Sequence, residues 1–273
     1  MANYVTDEGI CLRVLDFSET SQIVGMLTRQ HGLVPLIAKG SKRQSKKNVM
    51  SGPLDLLTSG EVVFVPPKES AGAQSGAQLG TLAAWELRDQ RRDLRKNLAA
   101  LNSAMLCAEI TTHMLHPNDP HPELFGELEA ALAILSEENP DNIGRVLVSY
   151  VKTALTSAGY WPRLEACLVC GRRAGDASMR FSARAGGVLC AADEKTGSKA
   201  CSVGDAGVTQ PVSGKVLLAL ERLAAPTVLR ANTPTRAAEA AALLAAMHVL
   251  LSQVEAVTDK AVRTRYLLPA IFI

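Results

Sequence analysis

The chain is expected to be an α+β protein of several parts: an N-terminal β-barrel, a C-terminal α-helical domain, and a cysteine-rich, zinc-knuckle-like segment inserted in the latter. Three observations carry this. Short Val/Ile/Leu-rich runs at 11–15, 23–28 and 33–38 are separated by turn signals at 16–20 and at His31-Gly32, which reads as an antiparallel meander. From Arg91 onward the apolar spacing changes to the helical period. Between two helical stretches stands Cys167-Leu168-Val169-Cys170-Gly171, with Cys190 and Cys201 beyond it, a pattern suited to metal-ligating thiolates. The expected boundaries are 1–88 for the barrel, 89–160 and 210–273 for the helical domain, and 161–209 for the insertion.

The strand pattern continues at 54–57 and 61–65 and stops at Pro66-Pro67. Residues 68–80 are small, polar and Gly-rich, a mobile loop. Residues 81–87 supply the last strand of a small barrel of the oligonucleotide-binding (OB) type. Trp85 alternates with Ala83 and Leu87, which favours core packing over a base-stacking platform. A long helix is expected from Arg91 to about His116, a second over 122–138, and a third capped by Asn142 and ended by Gly159. Two more are expected over 212–223 and 233–257, with Ser213 and Thr233 as N-caps and Pro234 in the first turn. His113, His116 and His121 read as residues near helix ends rather than metal ligands, and His248, on an apolar stripe, as a core or boundary histidine.

Composition is that of an ordinary globular protein, 47% hydrophobic and 21% charged, and a net charge of +2 names no partner by itself. Distribution says more. Lys39, Lys42, Arg43, Lys46 and Lys47 cluster after the third strand, Arg29 adds to them, and no Asp or Glu occurs between Glu19 and Asp55. An acid-free basic loop at a barrel rim suits a sugar-phosphate backbone. Arg88, Arg91 and Arg92 form a secondary group, but Asp89 and Asp93 are interleaved with them. For that group phosphate contact and salt-bridged surface stand level.

The N-terminus has no basic and apolar leader pattern, and no run approaches 18 uninterrupted apolar residues. A cytoplasmic protein with no membrane association is expected, its six cysteines reduced. Three readings of the cysteines stay open. Cys167, Cys170, Cys190 and Cys201 hold a structural zinc; three cysteines do so with Asp193; or the knuckle is degenerate and metal-free. Cys11 and Cys107 lie in apolar contexts and should be inert. No phosphate-binding P-loop, G-x-S-x-G or H-E-x-x-H pattern occurs, so no catalysis is expected.

Two stretches resemble the bacterial RecO family of recombination mediators. The first is Asp16-Phe17-Ser18-Glu19-Thr20-Ser21, then Leu27-Thr28, His31-Gly32-Leu33 and Ala38-Lys39-Gly40. The second is Leu155, Gly159, Tyr160, Pro162, Leu164, Cys167, Cys170 and Gly171. The resemblance implies binding of single- and double-stranded DNA and annealing of complementary strands. With the partner RecR, it implies loading of RecA onto DNA covered by single-strand-binding protein (SSB), in a nucleoid-associated setting. It also implies capture of the acidic SSB C-terminal tail, for which Arg145, Lys152, Arg222, Arg263 and Arg265 are candidates. The competing reading is a zinc-ribbon adaptor of transcription or translation that binds protein rather than DNA.

Overall fold

Apolar residues on the first strand face two ways, and that division builds the architecture. In β1 (Val5–Asp16) Cys11 points into the barrel, while Ile10 and Leu12 point out toward the helices. In β2 (Gln22–Thr28) Val24 and Met26 point in and Leu27 points out. Alternation is the period of a strand, and a strand apolar on both faces must be covered on both. With β3 (Gly32–Ala38), β4 (Ser59–Val65) and β5 (Gly80–Asp89), the chain closes a five-stranded barrel in the order β1-β2-β3-β5-β4, β1 pairing with β4. The β3–β5 pair is parallel and the rest antiparallel, an OB-type barrel. The computed structural model describes residues 3–43, 52–67, 79–137, 142–174, 178–192, 199–223 and 237–271. The loop expected at 68–80 lies outside them except for Leu79 and Gly80.

Residues 54–57, expected as strand, form none. Their backbone instead follows the bulge in β1, where Leu57 N donates to Cys11 O and Cys11 N to Thr58 O. The long helix expected from Arg91 is divided. A 3-10 turn, Arg92–Lys96, precedes α1 (Leu98–Met114), because Asn97 is extended (φ −118°) and its side chain caps Ala100 N at 3.1 Å. There follow α2 (Pro122–Leu135), α3 (Ile143–Ser157), α4 (Gly214–Arg222), α5 (Ala237–Thr258) and α6 (Leu268–Ile271). Ser213 caps α4 as expected. The caps expected at Thr233 and Pro234 lie outside the described residues. α5 is long and apolar enough by composition to cross a membrane. Here it packs on α3 and α4, with Leu243, Met247, Leu250 and Val254 buried.

Between α3 and α4 stands a sheet that the sequence reading did not anticipate, β6 (Met179–Ser182) flanked by β7 (Gly187–Cys190) and β8 (Thr209–Val212). Met179, Phe181, Val188 and Leu189 join the same apolar core as the helices. The cysteine segment is therefore seated on the helical body, not tethered to it.

The barrel meets the helices at the β2–β3 hairpin tip. Asn118 N donates to Leu33 O at 3.0 Å, and Pro117 bridges Leu33. Gly32 has φ +69°, and a Cβ there would stand inside the Asp119 backbone. Arg29 lies over the Phe125 ring of α2, 4.4 Å from its centroid, and pairs with Glu129 at 3.1 Å and Glu8 at 2.6 Å. We expect Gly32→Ala to cost about 3 kcal/mol, from the left-handed backbone and the collision together. Gly126→Ala, mid-helix with open space at its Cβ, should be neutral or stabilising by up to about 1 kcal/mol. Denaturant unfolding of both variants measures the difference.

Candidate nucleic-acid interface and metal centre

The rim basic cluster begins where β3 leaves the barrel. Lys39 is exposed and pairs with no acid among the described residues. Lys42 folds back, its backbone N donating to Thr20 O and its ammonium pairing with the exposed Asp16. Arg43 is exposed. Lys46 and Lys47 lie outside the described residues. Beside this rim opens a cavity of about 320 Å³, bordered by residues 52–55, Leu87, Gln90, Arg92 and Arg95. Trp85 forms part of its wall but is 3% exposed, so the ring belongs to the barrel core, as the alternation in the sequence requires.

The arginines divide sharply, and three expected phosphate contacts are committed elsewhere. Strand pairing sets Glu8 opposite Glu61, and Glu61 opposite Glu86. Like charges in one cross-strand row repel. Arg88 bridges Glu8 (3.3 Å) and Glu61 (3.0 Å), and Arg29 holds the other oxygen of Glu8. Both serve this acidic row. Arg91 is 5% exposed, with a left-handed backbone (φ 48°) and one guanidinium nitrogen on Ser59 Oγ. Burial pulls its pKa down, Asp89 and Glu129 opposing. It cannot reach a phosphate in solvent. Arg92 stays exposed, with Nε on Gln90 Oε1. Arg95 ties the 3-10 turn to Asp55 at 2.6 Å and to Leu56 O at 3.1 Å.

The candidates for an acidic tail also divide. Arg145 pairs with Glu239 at 2.7 Å, joining α3 to α5. Lys152 donates to the carbonyls of Leu220, Glu221 and Leu223 at 2.7, 3.2 and 3.0 Å, a cation on the negative end of α4. Arg265 pairs with Glu255 at 2.6 Å. The side chain of Arg222 lies outside the described residues, and Arg263 is exposed.

Among the described residues, one group of cysteine, histidine or acidic side chains is placed to share an ion: Cys167, Cys170, Cys190 and Cys201, their sulfurs within 4.8 Å of one another. Around a tetrahedral ion with metal–sulfur bonds of about 2.3 Å, sulfurs stand about 3.8 Å apart. The Cys170 and Cys190 sulfurs are 3.6 Å apart, so the donor set fits. The turn is shaped by Gly171 (φ 72°), with Gly171 N on Cys167 O and Cys167 N on Arg172 O. Cys201 N donates to Cys190 O at 3.1 Å and so brings the distant cysteine back. Asp193, the other candidate ligand, lies outside the described residues. Burial alone would raise the Cys167 pKa. The backbone N–H groups of Cys170, Val169 and Cys190 outweigh it and bring the thiol down to about 6. Burial and the neighbouring sulfurs push Cys190 up to about 12. Filling the site therefore expels protons. Cys11 and Cys107 are buried and pushed up by burial, as inert thiols are.

Family models described as Recombination protein O N terminal and Recombination protein O C terminal match residues 1–91 and 95–248. The chain is 32% identical over 183 residues to a DNA repair protein RecO of Rhodopirellula baltica, covering 66% of this chain and 64% of that one. It is 31% identical over 217 residues to a protein of that name from Anaeromyxobacter sp. strain K, covering 79% and 77%. With the one from Synechococcus sp. strain JA-3-3Ab it shares 30% over 268 residues, covering 97% and 84%.

Arg91→Ala should lower stability by about 2 kcal/mol, because it empties a buried guanidinium site, whereas Arg92→Ala should change it by less than about 0.5 kcal/mol. Thermal melts of the two variants test this. Metal content of the purified protein, read by elemental analysis, should approach one ion per chain near neutral pH and fall as acid protonates the thiols. Cys201→Ser should weaken retention against a chelator.

Proposed function

We propose, on the premise that this chain belongs to the RecO family of DNA repair proteins, that it is a non-catalytic recombination mediator whose barrel rim holds DNA. The observation that supports this most is the absence of any carboxylate from Thr20 to Leu54. That stretch supplies β2, β3 and the basic rim of a closed barrel. Lys39, Lys42, Arg43 and Arg92, with Lys46 and Lys47, neutralise backbone phosphates and release counterions without reading bases. Such a surface takes single and double strands alike. By masking charge on two backbones it lets complementary strands meet, which is annealing. In the same reading RecR and the acidic tail of SSB are its protein partners, and together they deliver RecA to SSB-coated single strands in the cytoplasm. The four cysteines hold a structural zinc, since four thiolates leave no open position for substrate water.

Lys42 is half-buried, but its partner Asp16 is exposed, and a pair open to water on one side is weak. A phosphate competes for that ammonium at little cost. The triple variant K39A/K42A/R43A should weaken binding of random single strands similarly for all sequences. The slope of log affinity against log salt should flatten by about 2, three contacts at about 0.7 each. Filter binding at several salt concentrations reads this, and an unchanged slope would refute the assignment.

A further inference from the structure

We propose that Arg13, Lys260 and Arg263 form a second phosphate-binding surface, at the junction of barrel and helical body, that continues the track starting at the rim. The inference rests on the rim being a phosphate surface. After α5 the chain turns sharply at Asp259, a left-handed residue (φ 51°), and exposes Lys260 and Ala261 before Val262 is buried. The next residues form a 3-10 turn, Arg263–Leu267, seated on α1 by one carboxylate. Glu109 accepts from Arg263 N (2.7 Å), Thr264 N (2.9 Å) and Thr264 Oγ1 (2.6 Å).

Glu109 is the one acid lining the cleft. Both oxygens of Glu109 face backbone and hydroxyl donors, which fixes the carboxylate in place; its single charge stands against three cations, and the lining keeps a net positive charge. Arg13, Lys260 and Arg263 are exposed and pair with no acid among the described residues. Together with Leu12, Thr112 and His113 they border a cavity of about 540 Å³. Nδ1 of His113 is buried there with no hydrogen-bond partner. Burial holds its imidazole below the ordinary pKa, Glu109 opposes this, and Lys260 and Arg263 push the same way as burial. Their charges therefore reach the cleft wall. Asp259 does not line the cavity.

β1 joins this cleft to the rim. Arg13 precedes Asp16 by three residues, about 10 Å along a strand, and Asp16 is the residue against which Lys42 rests. Three stacked nucleotides at about 3.4 Å each span that interval. The ligand class follows from the lining. Only Leu12 and Ala261 of the lining residues are apolar, which leaves little to anchor a peptide side chain, and the cations continue along β1 toward the rim as an extended polyanion requires. A phosphodiester chain needs cations alone.

The test is fluorescence anisotropy with oligo-dT of about 8 and about 30 nucleotides, the shorter one sized to a single barrel. The variant R13A/K260A/R263A should bind the short strand within about twofold of the parent. It should bind the long one about tenfold more weakly at low salt, with a salt slope smaller by about 2. The rim variant should weaken both strands. If the junction variant binds the long strand like the parent while the rim variant does not, the second surface is refuted and the rim stands. If the rim variant changes neither, the underlying reading falls. Loss of binding to a Glu/Asp-rich peptide, with the long strand still held, overturns the assignment in favour of a protein ligand. Should the triple variant melt early, Lys260→Glu alone, at an exposed turn position, carries the same expectation.

Discussion

The hairpin tip of β2 and β3, wedged against the loop that starts α2, fixes how the two halves of this protein sit. The constraint is steric before it is electrostatic: at Gly32 backbone meets backbone, and any side chain would force the halves apart. Around that contact Leu33 shares hydrogen bonding with Asn118. Arg29 then lies over Phe125 with a carboxylate from each half on its guanidinium. Stacked and paired in this way, an arginine loses little freedom per hydrogen bond, which suits a seam better than lysine would. Because the rim loop hangs from the far end of β3, the same wedge sets the direction in which the basic surface faces.

Charge on the barrel is sorted by strand register. The row Glu8, Glu61 and Glu86 makes one side acidic, and two arginines are spent on it. At the other end of the barrel Lys39 and Arg43 are exposed and Lys42 rests against the exposed Asp16. This division explains why counting positive residues along the chain overstates the cations that face solvent. Arg88 and Arg92 are four residues apart, yet one bridges carboxylates across strands and the other faces water. Nothing in the linear order says that Glu8 and Glu61 are neighbours; only barrel closure does.

Much of the fold was nonetheless legible. Period-two runs gave four of the five barrel strands nearly to their ends, and Trp85 fell in the core where its alternation put it. Residues 54–57 misled because apolar content does not distinguish a strand from a segment that plugs a barrel and bonds to a bulge. Asn97 shows the reverse error: an apolar stripe ran through a residue whose side chain is better used as a cap. The four cysteines were legible as a set. Their closure was not, since it depends on β7 ending at Cys190 and on one backbone bond that returns Cys201 to it. The small sheet around them is built from four-residue strands, below the length at which a pattern can be read.

The helical core is stitched from segments far apart in the chain: α1 and α3 are covered by α5 and by the 3-10 turn at 263–267. Synthesis delivers these pieces in a fixed sequence. The barrel, complete by Asp89, has every strand it needs long before the ribosome makes α5, and domains tend to fold as they emerge. The apolar faces of α1 and α3 must wait for their lid. During that wait the growing chain presents bare leucine and valine surface beside a finished neighbour, the kind of surface that aggregates unless it is shielded.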